Sequence, residues 1–187
     1  MTALVVINGP VELWWAPVAT TFPAVSAAPA AEWNLIGTSG DSNYTDDGVT
    51  INTGQTVEDF IPLGETFPIK SFRTEEEVTV SVRIADLSLA QFRVALNLNT
   101  VTTNAGVDDE VSLERGVEVA TMALLCRGKG KSPEFADGNL QFELYMVRES
   151  GSQELGFVKG EPVGVQLEFR ALKDLTNGVG TLRAAIA

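Results

Sequence analysis

Two acid runs, Glu75-Glu76-Glu77 and Asp108-Asp109-Glu110, hold the most closely spaced carboxylates in this 187-residue chain. A paired-carboxylate hydrolase needs two such groups converging on one bond, one as acid and one as base or nucleophile. Along a strand, alternation sends Glu75 and Glu77 to one face and Glu76 to the other. That spacing describes a charged sheet surface and not a catalytic pair. The chain has no histidine, so Ser-His and Cys-His nucleophiles are excluded and zinc lacks its usual nitrogen ligand. Cys126 is the only cysteine. It makes no internal disulfide, and its apolar, strand-like surroundings suit a buried, inert thiol. Asp41, Asp46 and Asp47 with Asn43 invite a calcium reading, but the glycine and closing glutamate of an EF-hand loop are missing. A solvated turn accounts for them. Gly128-Lys129-Gly130-Lys131 resembles a fragment of a phosphate loop without the Walker spacing or a following helix, so it reads as a basic turn. The Asn43-Tyr44-Thr45 sequon has no secretory context to act in. No catalytic residue, metal or cofactor is expected.

Glu75-Glu76-Glu77 sits on an organising stretch that runs from Phe72 to Asn97. Val78, Val80, Val82 and Ile84 alternate with Thr79, Ser81 and Arg83, which predicts a long β-strand with one polar face. Ser88 and Gln91 then have the spacing of a capping box. Leu89, Phe92 and Leu96 continue as one side of a short helix over residues 88–98, with Gln91 pointing away and Val94 off the stripe. Little else looks helical.

The remaining chain punctuates itself. Residues 3–7 form an apolar run stopped by Asn8-Gly9-Pro10, and residues 11–18 read as the first strand. Residues 19–31 carry two prolines and no charge. They read as an extended arm, either an ordinary long loop or a segment packed against a neighbouring copy. After the polar loop 38–48, residues 48–72 form a projecting excursion, partly hairpin, with Gly54 as a turn and Phe60, Ile61 and Phe67 exposed. Exposed apolar groups are a liability on a monomer and a contact in an assembly. Residues 97–106 read as a link and 117–127 as a strand. Leu140, Phe142, Leu144 and Met146 alternate with Gln141, Glu143 and Tyr145, residues 155–159 suggest a short strand, and 163–169 alternate again. Such strands predict an antiparallel sheet with one wet face.

At 187 residues the chain is expected to be a single domain, with an N-terminal strand and arm over 1–32 and a C-terminal arm over 174–187. Twenty-five acidic against thirteen basic residues give a net charge of −12. A tight nucleic-acid clamp is therefore not expected, although a conduit for DNA would benefit from a wall that DNA does not stick to. MTALVVING lacks the basic leader of a signal peptide, and no apolar run is long enough to span a bilayer, so a soluble protein is expected.

An N-terminal strand, a Pro/Ala-rich run, LIGTSGDSNYTDDGVTI, a long loop, FRTEEEVTVSVRIADLSLAQFRVALN and late alternating strands together resemble the major tail tube proteins of long-tailed bacteriophages. The resemblance covers about residues 16–173. It implies a mainly β, antiparallel β-sandwich or barrel-like fold with one flanking α-helix, six copies of which join their sheets into a ring around a continuous inner barrel. Rings would stack into a tube around a tape-measure protein, end at a tail terminator, and later conduct the genome without binding it specifically. The protein would be made in the host cytoplasm and reside in the virion tail. Carried to this chain, residues 48–72 would meet the next ring through Phe60, Ile61 and Phe67. The helix would lie outside the body, and the terminal segments would tie subunits together. Some of Glu75, Glu77, Glu143 and Glu168 would line the bore, or else they are solvated acids of the outer surface. Two other readings remain open. A monomeric β-sandwich binding module for carbohydrate or a host surface would use Trp14, Trp15 and Trp33 as stacking platforms, though their neighbours are packing-type residues. A capsid decoration protein would also be acidic and β-rich.

Overall fold

The computed structural model describes residues 6–104, 106–131, 139–160 and 162–184. The fold is mainly β, antiparallel throughout its named pairings, and carries one α-helix, as the alternating patterns predict. Its strands are β1 (Val6–Pro17), β2 (Asn34–Leu35), β3 (Tyr44–Phe60), β4 (Lys70–Ile84), β5 (Val101–Asn104), β6 (Asp108–Val111), β7 (Thr121–Lys131), β8 (Asn139–Glu149), β9 (Val165–Ala171) and β10 (Gly180–Ala184), with helix α1 (Leu89–Ala95) between β4 and β5. The main sheet runs β2-β1-β7-β8-β9-β4-β3, and β10 joins β8 off that path. Strands β5 and β6 form a small separate hairpin, where the sequence suggested only a link.

The pattern that organises the sequence also organises the core. Val80, Val82 and Ile84 of β4 are buried, and they lie opposite Phe169, Leu167 and Val165 of β9. Leu13, Met122, Leu124, Cys126, Leu144 and Val147 complete the apolar interior from β1, β7 and β8. The sheet curls until its ends meet. The Tyr44 hydroxyl at the start of β3 accepts a hydrogen bond from the Leu13 N–H at 2.9 Å and donates to the Ile36 carbonyl at 3.1 Å. Burial pushes the Tyr44 pKa far above its ordinary range, so this link stays protonated.

Helix α1 closes the core with two residues outside the expected stripe, while Phe92 and Leu96 of that stripe turn inward as expected. Val94 and Ala95 are fully buried, and Phe92 packs against the same cluster. The capping box does not form: Ser88 is the N-cap but makes no side-chain cap bond. Gln91 is used elsewhere. Its Oε1 accepts from the Gly37 N–H at 2.9 Å and its Nε2 donates to the Leu35 carbonyl at 3.2 Å, which fastens the helix to the segment after β2. A tertiary backbone N–H has outcompeted the local one.

Three further expectations change. Asn8-Gly9-Pro10 does not end the first strand; it falls at a register shift between Ile7 and Val11 within β1. Residues 3–5 of that apolar run lie outside the described residues. Gly128-Lys129-Gly130-Lys131 is no turn, because β1 pairs with Gly128, Gly130 and Lys131 and β8 with Gly128 and Lys129. Tertiary pairing has overridden the turn-forming composition. Residues 155–158 form no strand.

The wet face predicted for β8 is dry. Residues 18–33 fold back over the outer face of β1, β7 and β8, where Trp33, Ala16, Ala123 and Leu125 form a second apolar cluster with Trp14 and Phe22 around it. Trp33 donates its indole N–H to the Thr21 carbonyl at 3.2 Å. The segment thus lies against its own sheet. β8 also contains a register shift, with Met122 opposite Val147 and Leu124 opposite Leu144. Val147 rather than Met146 therefore turns inward and is fully buried.

Candidate functional site

The segment that leaves the body is the hairpin of β3 and β4. Strand β3 has 17 residues and β4 has 15, paired from Tyr44–Ile84 out to Phe60–Lys70. Gly54, expected to turn, lies opposite Glu77 within the ladder, and the reversal occurs over residues 61–69. β9 accompanies β4 only as far as Thr79–Arg170. From Thr53 to Phe60 the hairpin continues without it, roughly 25 Å at about 3.4 Å per residue. Both faces of that extension are exposed. Among the described residues, β3 pairs with nothing on its outer edge and the 70–78 part of β4 pairs only with β3.

The tip is apolar. Phe60, Ile61 and Phe67 are 52%, 52% and 78% exposed, as expected of them, and Leu63, Ile69, Val57 and Phe72 add to the same region. The Phe60 carbonyl accepts the Ile69 N–H at 3.0 Å, which closes the neck of the loop, and Lys70 Nζ sits 5.0 Å above the Phe72 ring. The last four apolar residues were missed by a reading that singled out three, though the same window of sequence holds them all.

Further back, register places Glu75, Glu77, Thr79, Ser81 and Arg83 of β4 on one outer face. Thr50 and Asn52 of β3, and Gln166, Glu168 and Arg170 of β9, share that face because they oppose Ser81, Thr79, Arg83, Ser81 and Thr79 in the ladders. No apolar side chain interrupts it. Arg170 Nε reaches Glu77 Oε1 at 3.0 Å, with both side chains about half exposed. On the opposite face Arg73 pairs with Glu76 at 2.6 Å, so alternation divides this acid run as expected. On β3, β4 and β9, three carboxylates against two guanidinium groups leave this face polar with one net negative charge, and Arg148 of β8, opposite Arg170, borders it.

Glu143 is not part of it. The fourth bore candidate is completely buried on β8, so it lines no solvent-filled surface of the chain. Its Oε2 accepts from Arg183 Nε at 3.1 Å and Thr181 Oγ1 at 3.0 Å, and its Oε1 from Gln141 Nε2 at 2.5 Å. Alternation placed it on a wet face; the folded-back arm and β10 cover that face instead.

The other candidates disperse. Asp108, Asp109 and Glu110 lie exposed on β6, on a different sheet from Glu75-Glu76-Glu77. Trp33 is buried under its own arm, Trp15 packs against the main core, and Arg93 lies 5.6 Å from the Trp15 ring, so the three tryptophans form no exposed platform. Cys126 is fully buried and burial pushes its thiol pKa up, which suppresses the reactive thiolate. No helix among the described residues is long and apolar enough to cross a membrane. No protein-family model and no curated protein matches the chain.

Proposed function

We propose that this chain is the structural subunit of a phage tail tube, which assembles through β3 and β4 into stacked hexameric rings. The observation that carries this reading is the projecting hairpin: two long strands with free edges and an apolar tip that one chain leaves in water. Free edges of this length invite pairing with another strand, and closing them between subunits removes a hazard that monomeric proteins suppress. Phe60, Ile61 and Phe67, with Leu63 and Ile69 beside them, would bury against the next ring. The polar face bearing Glu75, Glu77 and Glu168 would form the wall along which genomic DNA passes unbound, while a tape-measure protein would occupy the bore during assembly and a tail terminator would close the stack. The protein would reside in the virion tail.

Negative-stain electron microscopy of the purified chain, with size-exclusion chromatography over a concentration series, tests the proposal. Rings or hollow tubes whose abundance rises with concentration are expected. A monomer that forms neither at any concentration, even with pre-formed tail tips as initiators, overturns it.

A further inference from the structure

The chain's two outlying segments meet across β8. Residues 18–33 lie over its outer face, and β10 pairs along its edge from Gly180–Leu144 to Ala184–Leu140. Between them stand Gln141, Glu143 and Tyr145, at alternate positions of one strand. Arg127 on β7 donates to the carbonyl of Ala27 at 2.7 Å and of Ala24 at 3.2 Å, and through Nη2 to Gln141 Oε1 at 2.7 Å. Gln141 Nε2 donates to the Pro23 carbonyl at 2.9 Å and to Glu143 Oε1 at 2.5 Å. Glu143 Oε2 then takes Arg183 and Thr181 of β10. A second route runs beside the first: Phe22 packs edge-on against Tyr145 at 5.7 Å, whose hydroxyl lies 3.4 Å from Thr181 Oγ1.

From this relay we infer that the N-terminal arm and the C-terminal strand are coupled, so that releasing either one loosens the other. The Gln141 carboxamide can sit only one way. Turned over, its oxygen would face the Pro23 carbonyl and the Glu143 carboxylate, and its NH2 would face the Arg127 guanidinium. Its orientation thus needs Glu143 in place on one side and Arg127 with the arm on the other. Glu143 in turn is buried and charged, and lifting β10 takes away both partners of Oε2. A buried carboxylate so stripped must leave or draw in water, and Gln141 then loses the acceptor that fixes its NH2. The coupling belongs to one chain and holds whatever the chain assembles into.

Hydrogen–deuterium exchange of the full chain reads both segments at once, as peptides spanning 19–33 and 179–184. Arg183→Gln removes a β10 partner of Glu143 without touching the arm, and its half-exposed side chain leaves the apolar core unchanged. Gly180→Ala lifts β10 without changing a charge, because a methyl there would run into the Glu143 carbonyl. Both variants are expected to speed exchange in 19–33 by roughly tenfold, a typical coupling between sites. Reciprocity requires Arg127→Met to speed exchange in 179–184 by a like factor, and Arg183→Lys to restore most of the protection. Variants that each loosen only the segment they touch overturn the inference. So does faster exchange that extends equally to residues 80–84 in the core, since that is destabilisation of the whole chain.

Discussion

Asn97 follows the helix with a φ of 62°, in the left-handed region that most side chains avoid. From there its Nδ2 donates to the carbonyls of Arg115 at 2.6 Å and Glu118 at 2.8 Å, and its Oδ1 accepts from the Ala120 N–H at 2.6 Å. One amide therefore pins three backbone groups of the segment that leads into β7. Asn97→Ala is expected to lose about 2–3 kcal/mol, from the backbone penalty and the hydrogen bonds together. Asn97→Gly removes the penalty and keeps the bond loss, so it should fall between the two in urea denaturation. Glu149 poses the opposite case. Burial raises its carboxyl pKa, and the Gly151 N–H at 2.9 Å and the nearby Arg115 only partly offset that. The native chain therefore holds a proton that the unfolded chain has released, in the window between the unfolded and the raised folded value. Stability falls as pH rises through that window. Glu149→Gln keeps an acceptor for Gly151, and is expected to raise the urea midpoint at neutral pH and flatten its decline above the ordinary carboxylate range. A variant less stable than the parent at pH 7 would show the charge to be net favourable.

The strands that could be read in sequence are those with one polar face. In β4 and β9, apolar residues alternate with Thr, Ser, Arg, Gln and Glu, and the burial of Val80, Val82, Leu167 and Phe169 on one face follows from that period. β8 defeated the same logic because an arm from another part of the chain covers its outer face, and no local period records a remote cover. Gln91 was legible as a polar residue off the stripe, but its real partners, Gly37 and Leu35, lie more than fifty positions away. Hairpin β3–β4 was visible as an excursion with apolar tips, while its length was hidden by Gly54, a turn former used within a ladder. Its tip separates folding from association. Phe60 and Phe67 are more than half exposed, so Phe60→Ser with Phe67→Ser should leave thermal stability within about 0.5 kcal/mol of the parent for each substitution. If the hairpin stacks rings, the same pair abolishes tubes in electron micrographs and leaves small species on a sizing column. Tubes of normal length from the double variant would remove the tip from the stacking contact.

Charge separates a wall that faces DNA from one that faces solvent. The chain carries −12, yet the face holding Glu75, Glu77 and Glu168 is close to neutral because Arg83 and Arg170 share it. Weak net repulsion on a polar, apolar-free surface is what a bore requires: phosphates gain nothing by contact, and no counterions are released. Changing these three glutamates to lysine shifts the chain from −12 to −6, each exchange changing the charge by two. It also turns the face into one carrying five positive charges per subunit, which the proposed rings would repeat. All three side chains are exposed, so the fold and assembly should survive, although losing the Arg170–Glu77 pair costs a little. Particles built from this variant should eject their genome much more slowly, and more slowly still at low salt, since each neutralised phosphate contributes about −0.9 to the slope of log affinity against log salt. The matching glutamine variant removes the acids without adding attraction and should eject at close to the parental rate. If the face instead looks outward, the lysine variant coats its tubes with added DNA while ejection proceeds at the parental rate. That result would take these three acids off the wall of the proposed bore without bearing on the role proposed for the hairpin in assembly.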